Sequence, residues 1–403
     1  MVIGIIGAGA SGMAAAIAAA QSQDNQVIVF ERQSRVGRKL LATGNGRCNL
    51  TNLGACPDDY NGTDSDFVAG ALTRFSVEDT LAWFRSLGLY TVAEESGRVY
   101  PYSDQANSVV DVLRFAMEKP NIQLLLGFEV TKIRHQNSGF SVTNGEDVVF
   151  CDKLIVCCGG LAGTKLGGSM SGYKILQKMG HHCTKLRPAL VQIKSDWNGC
   201  VSLKGVRTNC WMVISRDGQL HSAGKGELQF TEYGISGPVV FEISREVCQK
   251  NGNWIATIDF LPDLEEKSLL AELKRRRSTN LTAEDLLTGI LHNRLGRTLC
   301  KAMGIHQQVS VRDLTDDELM TVAHGVKSFE IHLTETLGMD CAQVTAGGIF
   351  TSEFNPTTME SLLVPGLYAC GEVLDIDGDC GGYNLQWAWS SGRLAGYSAG
   401  GIL

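Results

Sequence analysis

Short, wholly apolar runs open the chain on either side of an Ala-rich segment. Val2-Ile3-Gly4-Ile5-Ile6 and Val27 to Phe30 have no polar interruption, as strands covered on both faces of a parallel sheet require. Between them, about Ala10 to Gln21 predicts a helix, Ala being the best helix former. Ile122 to Phe150 predicts a three-stranded meander with turns at Asn137-Ser138-Gly139 and Asn144-Gly145-Glu146. Lys153 to Cys158 predicts another buried strand, ending in Gly159-Gly160.

From about Ala189 the pattern changes to short alternating runs, among them Leu190-Val191-Gln192-Ile193, Trp211-Met212-Val213-Ile214 and Ile255-Ala256-Thr257-Ile258, which predict antiparallel strands. Leu261 to Lys327 turns helical: Leu269, Leu270 and Leu273 share a face, as do Leu287, Ile290 and Leu291. Thr282-Ala283-Glu284-Asp285 and Thr315-Asp316-Asp317-Glu318 have the form of capping boxes. Phe329 to Thr334 alternates again. Gly366 to Cys370 predicts a last strand, followed by a loop over Val373 to Cys380 and a helix through about Gly396.

Gly7-Ala8-Gly9-Ala10-Ser11-Gly12 sits between the first strand and the first helix, and the second strand ends at Glu31. With strand before, helix after and an acid about twenty residues on, this is a dinucleotide-binding fingerprint. Gly7 permits the tight turn, Gly9 lets a pyrophosphate approach the backbone, and Gly12 lets the helix lie on the sheet. The helix start at Ala10, Ser11 and Gly12 offers free N–H groups to phosphate. Glu31, with Arg32 beside it, is placed to take ribose hydroxyls, and its charge disfavours a 2′-phosphate.

NAD and FAD both satisfy that fingerprint, and the rest of the chain separates them. An NAD domain would continue in strand–helix units. Here Arg35 to Asn52 is a basic, Gly-rich loop suited to wrapping a large anionic cofactor; it contains Arg38, Lys39, Thr43, Gly44, Asn45, Gly46, Arg47, Cys48 and Asn49. The second strand–glycine–acid–helix arrangement, Gly371-Glu372 leading to Gly381-Gly382-Tyr383-Asn384, is what FAD needs and NAD does not. The acid can bond the ribityl chain, and the helix N-terminus can face the flavin pyrimidine edge, where its dipole stabilises reduced flavin. FAD is therefore the expected cofactor. With no second intact fingerprint, NADH or NADPH is expected to bind only transiently as electron donor.

Length and composition narrow the class. At 403 residues the chain predicts two or three domains, and 44% hydrophobic with 20% charged residues is a globular balance. A net charge of -7 argues against nucleic-acid or membrane partners and leaves a small-molecule substrate as the expected partner. The run Lys274-Arg275-Arg276-Arg277 reads as a solvated helix face. The 13 cysteines have no C-x-x-C spacing, so no metal site is expected, and free thiols with no signal-peptide pattern point to the cytoplasm.

At Ala42 to Asn52, at Phe230-Thr231-Glu232-Tyr233-Gly234-Ile235-Ser236-Gly237-Pro238, and at Gly371 to Asp375 with Gly381 to Ala388, the chain resembles the bacterial NAD(P)/FAD-dependent oxidoreductase family (BaiN-like) that includes a dehydro-bile-acid reductase and an aminoacetone oxidase. The resemblance spans essentially the whole chain. It implies an α/β fold: a Rossmann-like FAD-binding domain in two segments (1–187 and 346–403), an inserted β-barrel-like substrate domain (188–260 and 328–345) and a small helical subdomain (261–327). It also implies that Thr43 to Asn49 and the Gly381 to Asn384 turn lie beside the isoalloxazine, and that Val130 presents its backbone to the adenine. Gly159 joins this expected cofactor set. Leu362 and Cys380 depart from the usual family residues.

Because flavin carries the hydride chemistry, the protein need only bind, orient and tune it. Cys48 beside Arg47 is a redox-thiol candidate, with a packing role preferred because no resolving Cys lies near. Cys157-Cys158 reads as core, and His181-His182-Cys183 as a surface turn. Arg98 and Tyr100, in a polar-aromatic loop Gly97 to Ser103, are candidates for holding an anionic group and for protonating a product. Tyr233 is a third candidate donor. The expected activity is NAD(P)H-dependent reduction of an enone-type acceptor through flavin N5. Alternatives are an amine or amino-ketone oxidase using dioxygen, and a flavin-dependent RNA modifier or redox-sensing binding protein.

Overall fold

A computed structural model describes residues 1–136, 139–249 and 252–403, with backbone only at 248 and 249. The turn expected at Asn137-Ser138 lies outside the described residues. The chain divides into two units, Met1–Arg187 with Gln343–Leu403, and Pro188–Ala342.

The first unit is built on a five-stranded parallel sheet. Its strands are β1 (Val2–Ile6), β2 (Gln26–Glu31), β3 (Ile122–Leu126), β4 (Lys153–Val156) and β5 (Leu367–Ala369), in the spatial order β5-β4-β1-β2-β3. Val156 stands opposite both Ile6 and Ala369, so the ends of β1, β4 and β5 align, each running into a glycine turn. Ile122 was expected to begin a meander; it instead adds the outer parallel strand, because its apolar side chains pack beside β2. The antiparallel meander starts at Lys132 and uses Lys132–Gln136, Gly139–Thr143 and Val148–Cys151. Its second turn forms as expected: Asn144 Oδ1 accepts from the N–H groups of Glu146 (2.9 Å) and Asp147 (2.7 Å).

Helix α1 (Ala10–Ala19) is apolar all round and buried from Ser11 to Ala19. It packs against α2 (Tyr383–Gly400), the last helix, so closely that side chains are excluded. A Cβ on Gly392 would lie 2.4 Å from the Ser11 carbonyl oxygen, and one on Gly396 2.3 Å from that of Ala15. The opposite face of α2 carries a buried polar network. Gln386 accepts from Thr51 Oγ1 at 2.6 Å and donates to Thr80 Oγ1 at 2.8 Å and Ser390 Oγ at 2.9 Å. Such a satisfied network fixes helix register, because any slip leaves buried groups unpaired. Gly97 to Ser103 is a loop only at its ends: Arg98–Pro101 is the middle strand of a small sheet, paired with Thr51–Asn52 and Thr91–Ala93.

The second unit contains a closed six-stranded antiparallel barrel, in the order Ile193–Ser195, Gly234–Ser236, Gln219–Thr231, Arg207–Arg216, Trp254–Asp259, Phe329–Thr336. Met212, Ile214, Phe230, Ile235, Ala256 and Ile258 are fully buried. The helical segment shares that core through Leu269, Leu273, Leu295, Leu299, Leu319 and Val322. The Thr315 capping box forms, Thr315 Oγ1 accepting from Glu318 N–H at 3.2 Å and Glu318 Oε2 from Thr315 N–H at 2.8 Å. The Thr282 box does not: a short 3-10 turn, Ala283–Asp285, follows, and its Ala283 N–H bonds the Val309 carbonyl. The basic run is in part the solvated face expected, with Lys274 and Arg275 exposed, and its cations are also paired within the protein. Lys274 and Arg277 share Asp316 at 2.6 and 2.7 Å, Arg275 holds Glu272, and Arg276 donates to the carbonyls of Leu286 and Thr288.

Gly396→Val is expected to destabilise the protein by about 1–3 kcal/mol through overpacking, whereas Gly338→Ala, where a Cβ meets nothing within 4 Å, is expected to be near neutral. Thermal denaturation of both variants checks this.

Candidate cofactor site

The first glycine turn combines closed and open positions. A Cβ on Gly7 (φ +102°) would lie 2.5 Å from the Cys157 carbonyl oxygen, and one on Gly12 1.8 Å from that of Gly7. These two glycines are required by the protein's own packing. At Gly9 a Cβ would meet nothing within 4 Å, and the same holds at Gly159. Their bareness serves an open face above the strand ends. Gly9 caps α1 without a side-chain hydrogen bond, so the first amides of the helix face that space, suited to a pyrophosphate. Ser11 is buried against the second turn and Ala10 begins the helix.

Glu31 is buried at the end of β2, accepting from Ala8 N–H and Gln33 N–H, each at 2.8 Å. An ionised carboxylate has about four acceptor positions, so capacity for ribose hydroxyls remains. Phe128 N–H bonds the Glu31 carbonyl at 2.9 Å, which lays the segment leading to buried Val130 alongside this acid. Arg32 donates to the Gly167 carbonyl and Arg38 to Gln33 Oε1, the latter at 2.9 Å.

The second turn meets the first directly. Gly371 (φ +75°) has no room for a Cβ, which would sit 2.6 Å from Ser11 Oγ. Glu372 Oε2 pairs with Lys39 Nζ at 2.8 Å, and Oε1 accepts from Thr345 N–H at 2.9 Å. Thus Lys39 of the basic loop and the C-terminal acid, expected separately, form one clasp. Thr345 went unnoticed because an amide donor leaves no sequence signal.

At the head of α2, Gly382 (φ +108°) lies against Thr51, where a Cβ would be 2.5 Å from its carbonyl oxygen and 2.9 Å from Asn49 Oδ1. Asn49 Oδ1 is buried with no hydrogen-bond partner among the described residues. An acceptor left in this state costs energy unless a ligand N–H satisfies it. Tyr383 accepts from the Tyr60 hydroxyl through its carbonyl at 3.0 Å. Asn384 spends its side chain on Gly378, donating at 2.6 Å and accepting at 2.9 Å, so it shapes the turn.

The Thr43 to Asn49 loop is held in uncommon backbone conformations. Gly44, Asn45, Gly46 and Cys48 all have positive φ, and Thr43 Oγ1 donates to the Leu40 carbonyl at 2.7 Å. Cys48 is fully buried, and burial pushes its thiol up to about 12. It is a neutral packing residue rather than a thiolate. Arg47 lies over the Tyr100 ring, 3.9 Å from its centroid, and pairs with Glu94 and Asp104. Arg98, two residues before Tyr100, lies beside Gly381, where an added Cβ would be 3.4 Å from its Nε. The first unit therefore gathers Arg47, Arg98, Tyr100 and the Gly381-Gly382 turn. Tyr233 belongs to the second unit, in the turn between Gln219–Thr231 and Gly234–Ser236.

His181 departs from the expected surface turn, while His182 keeps to it. His181 is buried, stacked on Phe354 and bonded to Glu353 (2.9 Å) and Ser361 (3.0 Å), while exposed His182 takes the other Glu353 oxygen at 2.6 Å. The shared carboxylate draws one histidine inward. Cys157 is core as expected, and Cys158 is half-buried.

The open glycines, uncapped helix start and orphaned Asn49 acceptor fit an extended dinucleotide held at two ends. The family profile described as HI0933-like protein Rossmann domain matches residues 1–398. This chain belongs to that family. Among similar proteins, a 3-dehydro-bile acid delta(4,6)-reductase of Clostridium scindens is 39% identical over 98% of this chain and 98% of its own. A ribosomal RNA dihydrouridine synthase of Escherichia coli is 33% identical over 96% of this chain and 95% of its own. A 3-ketosteroid delta1-dehydrogenase of Sterolibacterium denitrificans has a TM-score of 0.49 at 12% identity, covering 99% of each chain. As a member of the HI0933-like family, the protein is an FAD-dependent oxidoreductase with a Rossmann-like FAD-binding domain and a six-stranded barrel.

Two outcomes are expected here. Glu372→Ala weakens FAD binding at least tenfold, read by titrating the apoprotein against flavin fluorescence. Iodoacetamide at pH 8 labels exposed Cys56 and Cys341 in the native protein and spares Cys48, read by peptide mass spectrometry.

Proposed function

We propose that the protein reduces a carbon–carbon double bond conjugated to a carbonyl in a small organic acceptor, taking electrons from NAD(P)H through FAD. The observation that carries this reading is a reaction class shared by relatives of different substrate. The name of the 39% identical relative describes reduction of a bile acid's 4,6 double bonds next to an oxidised 3-position. The name of the 33% identical relative describes formation of dihydrouridine, in which the uracil double bond beside a carbonyl is saturated.

Reduced FAD supplies the hydride in such a reaction. The charge then developing on the acceptor needs a cation and a proton. Arg98 and Tyr100 lie on one strand, with Arg47 over the Tyr100 ring, and this set suits an enolate. Cys48, fully buried with its thiol pushed up to about 12, is a packing residue in this reading. The nicotinamide coenzyme is a visitor in this reading, since the chain has one dinucleotide fingerprint and FAD takes it.

A uridine of ribosomal RNA is the second reading of the acceptor, favoured by relatives at 33% and 30% identity. A net charge of -7, and a basic run whose cations are paired within the protein, favour the small molecule. No helix among the described residues is long and apolar enough to cross a membrane. The cytoplasm is the proposed site of action.

Anaerobic stopped-flow mixing tests the proposal. NADH or NADPH should bleach the bound flavin. A steroid 4,6-dien-3-one or 2-cyclohexen-1-one should then restore the yellow colour without air and gain two hydrogens by mass. Failure of both coenzymes at millimolar concentration would remove the reading. Bleaching by an amine, with peroxide released in air, would replace it with an oxidase. Recolouring by a ribosomal RNA fragment alone would select the second acceptor.

A further inference from the structure

We propose that Arg47 acts through Tyr100, serving as the counter-ion that lets this phenol give up its proton to the reduced acceptor. The inference rests on the conjugated-bond reading above and adds to it a donor and the residue that controls it.

The geometry begins with the guanidinium itself. Its carbon stands 3.9 Å from the Tyr100 ring centroid, a cation over the face of a phenol. Two carboxylates hold it there: Glu94 Oε1 at 3.1 Å and Asp104, which accepts from Nε. They come from positions 47 and 57 residues away in sequence, so the placement is a product of the fold. Gly44 of the same loop also lies against the ring, where a Cβ would be 3.3 Å from Tyr100 Cε1.

Backbone conformation singles out the same pair. Six non-glycine residues among those described have positive φ, and three of them surround Arg47: Asn45 (φ +56°), Cys48 (φ +62°) and Asp104 (φ +57°). Left-handed backbone at non-glycine residues is unfavourable and persists where surrounding structure over-determines it, as at functional sites.

The groups facing the phenol are Glu94, Arg98, Arg47 and Cys380, with Asp104 behind Arg47. Burial, and then Glu94, hold the phenol above its ordinary range, while Arg98 and Arg47 pull it down. The first pair keeps the proton in place at neutral pH, and the second makes its departure affordable. Arg47 stays charged, its own proton held more tightly by Asp104.

The chemistry balances. The acceptor's β-carbon takes a hydride, two electrons and one hydrogen nucleus, from reduced FAD. The carbon–carbon π bond becomes an enolate. The α-carbon takes a proton from Tyr100 Oη, leaving a phenolate under the Arg47 guanidinium. Water returns that proton, and NAD(P)H restores reduced FAD.

Holoenzyme variants Arg47→Met, Arg47→Lys, Tyr100→Phe and Arg47→Met/Tyr100→Phe test the proposal, with flavin content and thermal stability confirming folding. The acceptor probe is 2-cyclohexen-1-one. Arg47→Met and Tyr100→Phe should each slow flavin reoxidation by the enone at least tenfold more than flavin reduction by NAD(P)H. The double variant should be no slower than Tyr100→Phe. Arg47→Lys should recover part of the loss. Removing Arg47 should also move the alkaline fall of the reoxidation rate to higher pH. With 3-fluorotyrosine placed at position 100, the fluorine NMR titration should move upward in Arg47→Met by about one pH unit or more, a tenfold change in proton affinity. Additive losses, equal slowing of both half-reactions, or an unmoved fluorine titration would overturn the proposal. A wild-type enzyme that is inert toward the enone would sink the reductase reading, and the fluorine titration, which needs no acceptor, would still decide the control of the Tyr100 proton by Arg47.

Discussion

The fold depends on one close contact in which glycine leaves no room for a Cβ: the first turn of α1 against α2 and the last strand's turn. Ser11 is the meeting point. A Cβ added to Gly392 would be 2.4 Å from its carbonyl oxygen, and one added to Gly371 2.6 Å from its hydroxyl. Segments about 360 to 380 residues apart therefore approach to backbone distance only because glycine stands at both places. This contact brings the N-terminal glycine turn beside the C-terminal acid. Burial of an Ala-rich helix on all sides supplies the driving force, since α1 carries almost no side-chain entropy to lose.

The remaining features of the site follow from that join. Lys39 reaches Glu372 because their segments are already adjacent, and the carboxylate is oriented by the Thr345 amide as well. Gln386 locks α2 against Thr51 and Thr80, which sets Gly382 and the unpartnered Asn49 oxygen at the helix head. Trp389 adds a bond to the Leu50 carbonyl at 2.9 Å, anchoring the chain just after the strained loop. Through Thr51 and Leu50, α2 holds the segment that follows the glycine-rich loop at the helix head.

The chemistry is set by charges placed with unequal freedom. Acidic groups around Arg47 hold it fixed, while burial keeps Cys48 and Tyr100 protonated. In the second unit, cations of the basic run are consumed by Asp316, Glu272 and backbone carbonyls. The two units therefore use arginine differently: one to modulate a phenol, the other to tie helices together.

The sequence by itself was enough for four of the five parallel strands, the fingerprint glycines, the alternating runs at Trp211–Ile214, Ile255–Ile258 and Phe329–Thr334 and the Thr315 cap, because in each the local period or spacing is the structure, whereas of the run Leu190 to Ile193 only Ile193 enters the barrel. It also carried the family, through uninterrupted stretches such as Ala42 to Asn52. Tertiary structure decided that Ile122–Leu126 joins the parallel sheet, that Arg98–Pro101 is a strand, and that His181 turns inward to Glu353. It alone paired Lys39 with Glu372 and placed Glu94 and Asp104 on Arg47. The physical reason is range. A hydrophobic period is written in neighbouring residues, whereas an ion pair, a strand partner or a buried acceptor depends on groups that meet only after the backbone has closed, so identical residue types in other registers would read the same along the chain.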